Sequence, residues 1–461
     1  MKFCQLIFAL TLLAGCAHFK PEPISPEKTA ANFDTRSLTN QNLQAFLETN
    51  HVVAEWPRSN WDLSALTFVA FYYQPALSEA RAQYASVRAA EITAGQRPNP
   101  TVGFTPTYDT TTTPPWILGA TWDIPIETAG KRGKRIAQAA FSSEAAKWNF
   151  ITTEWQTRSH VRATLLNLYI ARENESLLAR AEIAQSNVVR LLQGQFEAGA
   201  VSSFEVTQAR VAADTTQLLR QDAIGQFNQA RVQLACVLGL PSLALDGVEF
   251  DFSELKKLPL ALTAPEIRRA AVLNRADIRA ALAEYAASQS ALQLEIAKQY
   301  PDVHLNPGYE LDQTDNKWSL GLTVDLPVLN QNQGGIAEAK AKRAEAAAHF
   351  LTVQSGAISE IDTALAGYDA ALQKSAIAKN LLSDLQKQLE STRSQAKLGE
   401  ADALAVANAE SSYYTGVQNQ LDALTKAQQA LGALEDAVQN PLTLSVDAIR
   451  TAQEHSSRPS K

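Results

Sequence analysis

Alternation between apolar and polar residues marks four short stretches of the sequence. In WSLGLTVDLPV, which begins at Trp318, every second residue is apolar and the residues between them are Ser, Gly, Thr, Asp and Pro. Because successive side chains of a strand point to opposite faces, this alternation predicts strands with one apolar and one polar face. The predicted strands span residues 101–109, 116–126, 302–311 and 318–328.

Long segments rich in Ala, Leu, Gln and Glu, without proline, follow each pair of predicted strands. This composition favours long helices. They are predicted over residues 134–193, 203–238, 336–397 and 402–438. Gly199 and Gly399 interrupt the two runs, and a glycine followed by a capping residue suits a helix end and a new start. A run of about 60 residues corresponds to about 90 Å of helix.

The whole series of elements occurs twice, at an offset of roughly 200 residues. WILGATWDIPI, from Trp116, shares the pattern W-x-L-G-x-T-x-D-x-P with WSLGLTVDLPV. FEAGAVSSFEVTQA likewise corresponds to AKLGEADALAVANA, which aligns Gly199 with Gly399. The sequence therefore predicts an α+β protein of two tandem repeats, each with a β-hairpin and a set of long helices.

The N-terminal segment has the features of an export signal. MK is a short basic start, and LIFALTLL is an apolar stretch too short to span a bilayer. LAGC, ending at Cys16, resembles the lipobox of bacterial lipoproteins, in which the Cys thiol carries lipid; an ordinary secretory signal is the alternative. The predicted organisation is a signal peptide over 1–15, a lipidated tether over 16–60, a first repeat over 61–240, a connector over 241–264, a second repeat over 265–438 and a polar tail over 439–461.

Composition excludes several classes of protein. With 46% hydrophobic and 19% charged residues in 461, the chain is not a disordered one, and a net charge of −7 argues against nucleic-acid binding. No nucleophile elbow, Walker loop, HExxH or CxxC pair is present. We therefore expect no enzymatic activity, no cofactor and no metal centre. Lipid on Cys16 is the expected covalent group.

The strands fit a membrane as well as a soluble hairpin packed on helices. Their length matches the roughly 9–11 residues of a tilted membrane strand. Aromatic residues near their ends suit the membrane interface. These predicted membrane-facing aromatics are Phe104, Tyr108, Trp116, Trp122, Tyr309 and Trp318. Four strands cannot close a barrel, and open edges in lipid leave backbone groups unpaired, so a membrane barrel requires an oligomer.

On these motifs the chain resembles the TolC-like outer-membrane efflux protein (OEP) family over about residues 61–438. The motifs are LAGC, RPNP, the two W-x-L-G-x-T-x-D-x-P strands, GKRGKRIAQA and AGAVSSFEV. The resemblance implies a homotrimer in which a periplasmic α-helical barrel is capped by a 12-stranded transmembrane β-barrel. It also implies an outer-membrane location, contact with outer-membrane lipids, a periplasmic adaptor (membrane fusion) protein and an inner-membrane transporter of RND type.

The resemblance also suggests sites at the two helix tips. TolC-like channels close at the periplasmic mouth, where acidic residues favour cations. Here Glu205 stands at the matching position, with Glu400 and Asp402 near the second tip, whereas Ala405 and Asn408 stand where well-known members carry acids. Solvated tip charges are the alternative. The predicted adaptor contacts are Gly199, Val201, Ser202, Gly399 and Ala401, with a plain helical turn as the alternative.

Two further groups of polar residues have simple interpretations. GKRGKR, residues 130–135, carries four cations at a strand-to-helix junction and fits lipid head groups. Asp123, Asp302, His304 and Asp325 fall on the polar strand face, where we expect a scattered polar lining of a lumen rather than a metal site.

The sequence thus favours a passive exit duct of a tripartite efflux system, for divalent metal cations or drugs. AGQRPNP with ETAGKRGKRI resembles the branch that serves heavy-metal exporters of the cobalt-zinc-cadmium type. A duct of a type I protein-secretion system is the related alternative. A periplasmic lipid-anchored coiled-coil scaffold is the alternative from another class, and it leaves the alternating strands unexplained.

Overall fold

The computed structural model describes residues 18–52, 56–259 and 264–442. The predicted signal peptide, Cys16 and most of the predicted tail lie outside these residues. The helices are α1 Pro26–Asp34, α2 Gln41–Thr49, α3 Leu63–Tyr73, α4 Pro75–Gly95, α5 Lys131–Glu197, α6 Ser203–Leu238, α7 Ala264–Asn274, α8 Ala276–Ala297, α9 Gln333–Lys397 and α10 Ala403–Val438. The strands are β1 Asn60–Trp61, β2 Thr101–Tyr108, β3 Trp116–Ile126, β4 Glu249–Phe250, β5 Val303–Asp312 and β6 Asp315–Val324. The fold is therefore α+β.

The two long β-hairpins join into one antiparallel sheet of order β2-β3-β5-β6. The hairpins meet where β3 pairs with β5, from Ile117 opposite Asp312 to Ile126 opposite Val303. Within the chain, the outer edges of β2 and β6 have no neighbouring strand among the described residues. The sheet is thus an open, four-stranded piece.

The fourth strand differs from its predicted range of 318–328. It begins at Asp315, since a two-residue turn pairs Asp312 with Asp315 and so extends the ladder toward the turn. Gln313 takes a left-handed conformation there, with φ 58°, as such a tight turn requires. The strand ends at Val324, before Pro327, which has no N–H to donate to a ladder.

The long helices are longer than the sequence pattern suggested. Helix α5 has 67 residues and α9 has 65, because each begins about three residues earlier than predicted, and α5 also continues to Glu197. At 1.5 Å per residue both exceed about 95 Å. Gly199 and Gly399 have φ values of 74° and 78°, and this left-handed conformation lets each long helix turn back into a shorter partner.

The predicted tether over 16–60 is in part a folded segment. Leu43 and Leu47 of α2 are fully buried, because their four-residue spacing places both on one helix face. Arg36 donates from Nη1 to the carbonyl oxygens of Tyr73 and Gly239, at 3.1 and 2.8 Å. This segment therefore closes over the end of α3 and the end of α6.

The predicted connector also belongs to the core. Its strand β4 pairs in parallel with β1, and Leu245, Phe252 and Leu255 are buried beside α3 and α5. A second, smaller cluster surrounds Ile361 and Tyr368 of α9, and a third lies at the helix tips. In the part of the chain that the structure describes, no helix is both long and apolar enough to cross a membrane.

Candidate functional site

A hydrogen-bonded cluster of polar side chains crosses the sheet near its helical end. His304 Nδ1 lies 2.9 Å from Asp123 Oδ1, and Asn306 Nδ2 donates to the same oxygen at 3.0 Å. Thr323 Oγ1 lies 2.8 Å from Asn306 Oδ1, an amide oxygen that can only accept. The cluster therefore links β3, β5 and β6 on a single face.

The sheet separates charge from apolar surface completely within its four strands. The register places every Asp, Glu, Lys and His of these strands on the polar face, namely Asp123, His304, Glu310, Asp312, Asp315 and Lys317. The opposite face is apolar apart from Asn316 and is largely exposed: Phe104 is 78% exposed, Trp318 79% and Leu320 74%. A soluble monomer rarely exposes so continuous an apolar surface.

The aromatic residues predicted to face a membrane all lie on this apolar face. Tyr108 and Trp116 pack edge to face with ring centroids 5.0 Å apart at the end distant from the helices. Tyr309 and Trp318 form the matching pair in the second hairpin, at 4.7 Å. Trp122 and Tyr309 are half-buried, whereas the others are exposed. Their role at a lipid interface remains a prediction.

The cations of the basic run GKRGKR are held by partners at the strand-to-helix junction. Lys131 Nζ pairs with Asp302 at 2.8 Å, and Lys134 Nζ donates to Gln293 at 2.8 Å. Arg132 donates to the carbonyl of Gly95, and Arg135 to the carbonyls of Ala94 and Gln96 and to Glu127. All four cations thus have partners in the chain, and two of them bind carbonyls at the C-terminal end of α4. Contact of this run with lipid head groups stays a prediction.

The second repeat makes the corresponding junction without cations. Asn332 Nδ2 donates to the backbone oxygen and the carboxylate of Glu295, both at 2.8 Å. Hydrogen bonds from Asn332 and Lys298 hold the pKa of Glu295 below its usual value. The junction therefore requires a donor at the start of the long helix, and NQNQGG supplies an amide where GKRGKR supplies cations.

The acidic tip residues have local structural partners. Glu205 Oε2 accepts from the backbone N–H of Ser202 at 2.7 Å, and Ser202 Oγ caps the N–H of Glu205, which completes a capping box. Asp402 Oδ1 accepts from the N–H of Ala405 at 2.7 Å. Glu400 is exposed. The role of all three as gate residues stays a prediction, since helix capping already accounts for two of the positions.

The two tips pack against each other within the chain. Val188, Leu192 and Val206 of the first hairpin meet Ala407 of the second, and Val201 and Leu404 pack at the edge of this cluster. Gln185 Nε2 donates to Ser411 Oγ at 2.8 Å just above it. Of the predicted adaptor contacts, Gly199, Ser202 and Gly399 are exposed, whereas Val201 and Ala401 are half-buried.

A buried ionic cluster between α5 and α10 was not predicted. Arg162 Nε lies 3.2 Å from Glu435 Oε2, and Arg158 Nη1 lies 3.3 Å from the same oxygen. Arg162 also donates to the backbone oxygen and the side chain of Gln428. Burial lowers the pKa of Arg162, and Glu435 acts in the opposite direction. Arg158 and Arg162, four residues apart among apolar residues of one helix face, were the available signal.

The chain is similar to one protein family and to several known proteins. A family model described as "Outer membrane efflux protein" matches residues 73–240 and 267–438, which is most of the chain. The cobalt-zinc-cadmium resistance protein CzcC of Cupriavidus metallidurans is 26% identical over 219 residues, 47% of this chain and 51% of that protein. The pyoverdine export outer membrane protein OpmQ of Pseudomonas aeruginosa is 26% identical over 228 residues, 47% of this chain and 46% of that protein.

The match therefore spans about half the length of these curated relatives. The crystal structure of the outer membrane protein VceC from Vibrio cholerae is similar over more of the fold. It superposes with a TM-score of 0.67 at 19% identity and covers 83% of this chain and 99% of that one. At this level of identity the likeness concerns the fold alone.

Proposed function

The chain belongs to the outer membrane efflux protein family, and from that premise we propose that it is the outer-membrane exit duct of a tripartite efflux system. Substrate would enter the duct from an inner-membrane transporter of RND type through a periplasmic adaptor. The chain would act passively, with no catalytic step of its own. The observation that carries the proposal is the four-stranded sheet with all its charges on one face and an exposed apolar surface on the other.

A membrane sheet cannot keep open edges in lipid. Each unpaired backbone group in the hydrocarbon region is unfavourable by several kcal/mol, so membrane strands close into barrels. The unneighboured edges of β2 and β6 would pair between chains, and three chains would close twelve strands around an aqueous lumen. The long helices would continue this tube into the periplasm. Lipid on Cys16 would attach each chain to the membrane in addition.

For the cargo we propose divalent metal cations, with organic compounds as the second possibility. The similarity to a cobalt-zinc-cadmium resistance protein supports the first, and the similarity to a pyoverdine export protein supports the second. The polar sheet face carries four carboxylates against one lysine within the strands, and such a wall favours cations. Acidic tip residues such as Glu205 would add to the same preference.

The test is single-channel recording of the full-length, detergent-purified protein in planar bilayers, with its oligomer mass measured in parallel. A trimer that gives discrete, cation-selective steps supports the exit duct. A chain that remains monomeric without detergent after Cys16→Ser, and carries no current, would overturn it in favour of a lipid-anchored periplasmic scaffold. Secretion of a reporter protein through the duct in cells would instead point to a type I secretion duct.

A further inference from the structure

One histidine on the polar face of the sheet is held in a defined orientation. His304 Nδ1 lies 2.9 and 3.1 Å from the two carboxylate oxygens of Asp123. The carboxylate is fixed in turn, because Asn306 donates to it and Thr323 donates to Asn306. The imidazole is therefore one end of a hydrogen-bond chain that crosses three strands.

The direction of these hydrogen bonds determines which imidazole nitrogen of His304 is available to a ligand. An ionised carboxylate only accepts hydrogen bonds, so the hydrogen of a neutral imidazole belongs on Nδ1. Nε2 then carries the lone pair. The His304 side chain is 34% exposed, so solvent and solutes in front of the polar face can reach it.

An imidazole whose second nitrogen donates to a carboxylate is the usual form of a metal-binding histidine. Imidazole suits Zn²⁺, Ni²⁺, Co²⁺ and Cu²⁺, whereas Mg²⁺ prefers oxygen ligands. Among the described residues, no group of three or more His, Cys, Asp or Glu side chains is arranged to hold a metal ion. One ligand holds a cation weakly, and conduction requires contacts that a permeating ion can leave.

We propose that His304, oriented by Asp123, is a transient contact for divalent transition-metal cations on the inner wall of the sheet. The inference rests on the proposed function, in which the polar face lines the lumen. The nearby charges are compatible with it: Lys131 is neutralised by Asp302, and Asp325 is exposed just beyond β6. The acidic surroundings would attract cations of any type, and the imidazole would distinguish transition metals among them.

The experiment compares Zn²⁺ with Mg²⁺ as additives during single-channel recording. Zn²⁺ should reduce the time-averaged current of the wild-type duct at concentrations where Mg²⁺ has little effect. In His304→Gln the half-blocking Zn²⁺ concentration should rise by more than about tenfold, and in Asp123→Asn by about tenfold, the usual loss when an orienting carboxylate is removed. The Mg²⁺ response of His304→Gln should match that of the wild type. The charge lost in Asp123→Asn acts on both ions, so its readout is the ratio of the two responses.

The matched control is His349→Gln. His349 lies on α9, is exposed, and has Nε2 3.9 Å from Glu284, so it is a histidine beside a carboxylate without a hydrogen bond. Its zinc response should equal that of the wild type. Oligomer mass and conductance in chelator-treated buffer verify that each variant assembles.

The two proposals can fail separately. Absence of any channel current would refute the exit duct. Normal current with the same Zn²⁺ block in wild type and His304→Gln would refute only the metal contact, as would an equal response to Zn²⁺ and Mg²⁺.

Discussion

Replacing Gly432 with alanine should destabilise the contact between the two repeats, although alanine is the better helix former. A Cβ at this position would lie 2.4 Å from Nη1 and 3.3 Å from Cζ of Arg162. The guanidinium lies against α10 at the glycine; Arg162 is 5% exposed, and Glu435 is fully buried beside it. The added methyl group would displace the guanidinium from Glu435 and Gln428.

The magnitude follows from two opposing effects. Breaking a buried ion pair destabilises a protein by about 3–5 kcal/mol. Alanine in place of glycine in a helix stabilises it by about 1 kcal/mol. The expected net loss is therefore about 2–4 kcal/mol for Gly432→Ala. Gly367→Ala is the matched control, because it lies in α9 with nothing within 4 Å of the added Cβ.

Thermal unfolding of the detergent-solubilised protein measures the effect. Gly432→Ala should lower the Tm by about 2–4 °C, and Gly367→Ala should leave it unchanged or raise it. In an Arg162→Ala background the clash is absent, so Gly432→Ala should no longer destabilise the protein further. A Tm for Gly432→Ala equal to that of the wild type, or an undiminished effect in the Arg162→Ala background, would refute the proposed steric mechanism.

Three further predictions address the sheet, the tip and the second core. Leu320→Arg on the apolar face should reduce recovery of the protein in the outer-membrane fraction, since arginine at mid-bilayer is unfavourable by about 2–4 kcal/mol. Ser319→Arg on the polar face should not reduce it. Equal recovery of the two variants would contradict the assignment of faces. Glu205→Gln preserves an acceptor for the capping box but removes the charge. A weaker cation preference of the channel at unchanged Tm would identify Glu205 as a gate charge. Unchanged selectivity would leave helix capping as the role of this residue. Burial raises the pKa of Tyr368 to about 12 from 10.0, so its contribution to stability is complete below pH 10 and is lost as the pH rises toward 12. Tyr368→Phe loses the 2.8 Å hydrogen bond to Pro259. This variant should lower the free energy of unfolding by about 1 kcal/mol, and its stability should fall less steeply than that of the wild type between pH 10 and 12. An equally steep fall in stability would show that other groups cause it.

The elements that rest on local patterns could be read from the sequence. Alternation identified the strands, and Gly199 and Gly399 identified the helix tips, because backbone conformation there depends on the residues themselves. The start of β6 at Asp315 was missed, since a two-residue turn sets the register and the alternation alone does not fix where pairing begins.

Contacts between distant segments could not be predicted. Arg162 and Glu435 belong to different repeats. No periodicity in the sequence shows that the side chain of Arg162 packs against α10 at Gly432 and reaches Glu435. The partners of the basic run GKRGKR could not be predicted either, because the backbone carbonyls of Ala94 and Gly95 that it binds carry no signal in the side-chain sequence. The carboxylate–imidazole pair of Asp123 and His304 was expected only as scattered lining, since diagonal pairing across two strands depends on their register.

The open edges of β2 and β6 have a consequence for inheritance. If three chains close one barrel, every chain must offer two sound edges, because one faulty edge leaves backbone groups unpaired in the whole ring. Suppose that normal chains and chains with a disrupted edge are produced in equal amounts and associate equally well. Only about one trimer in eight would then consist of normal chains alone. Such an edge allele should therefore be dominant in a cell that also carries the normal gene, whereas an allele that prevents folding altogether should be recessive.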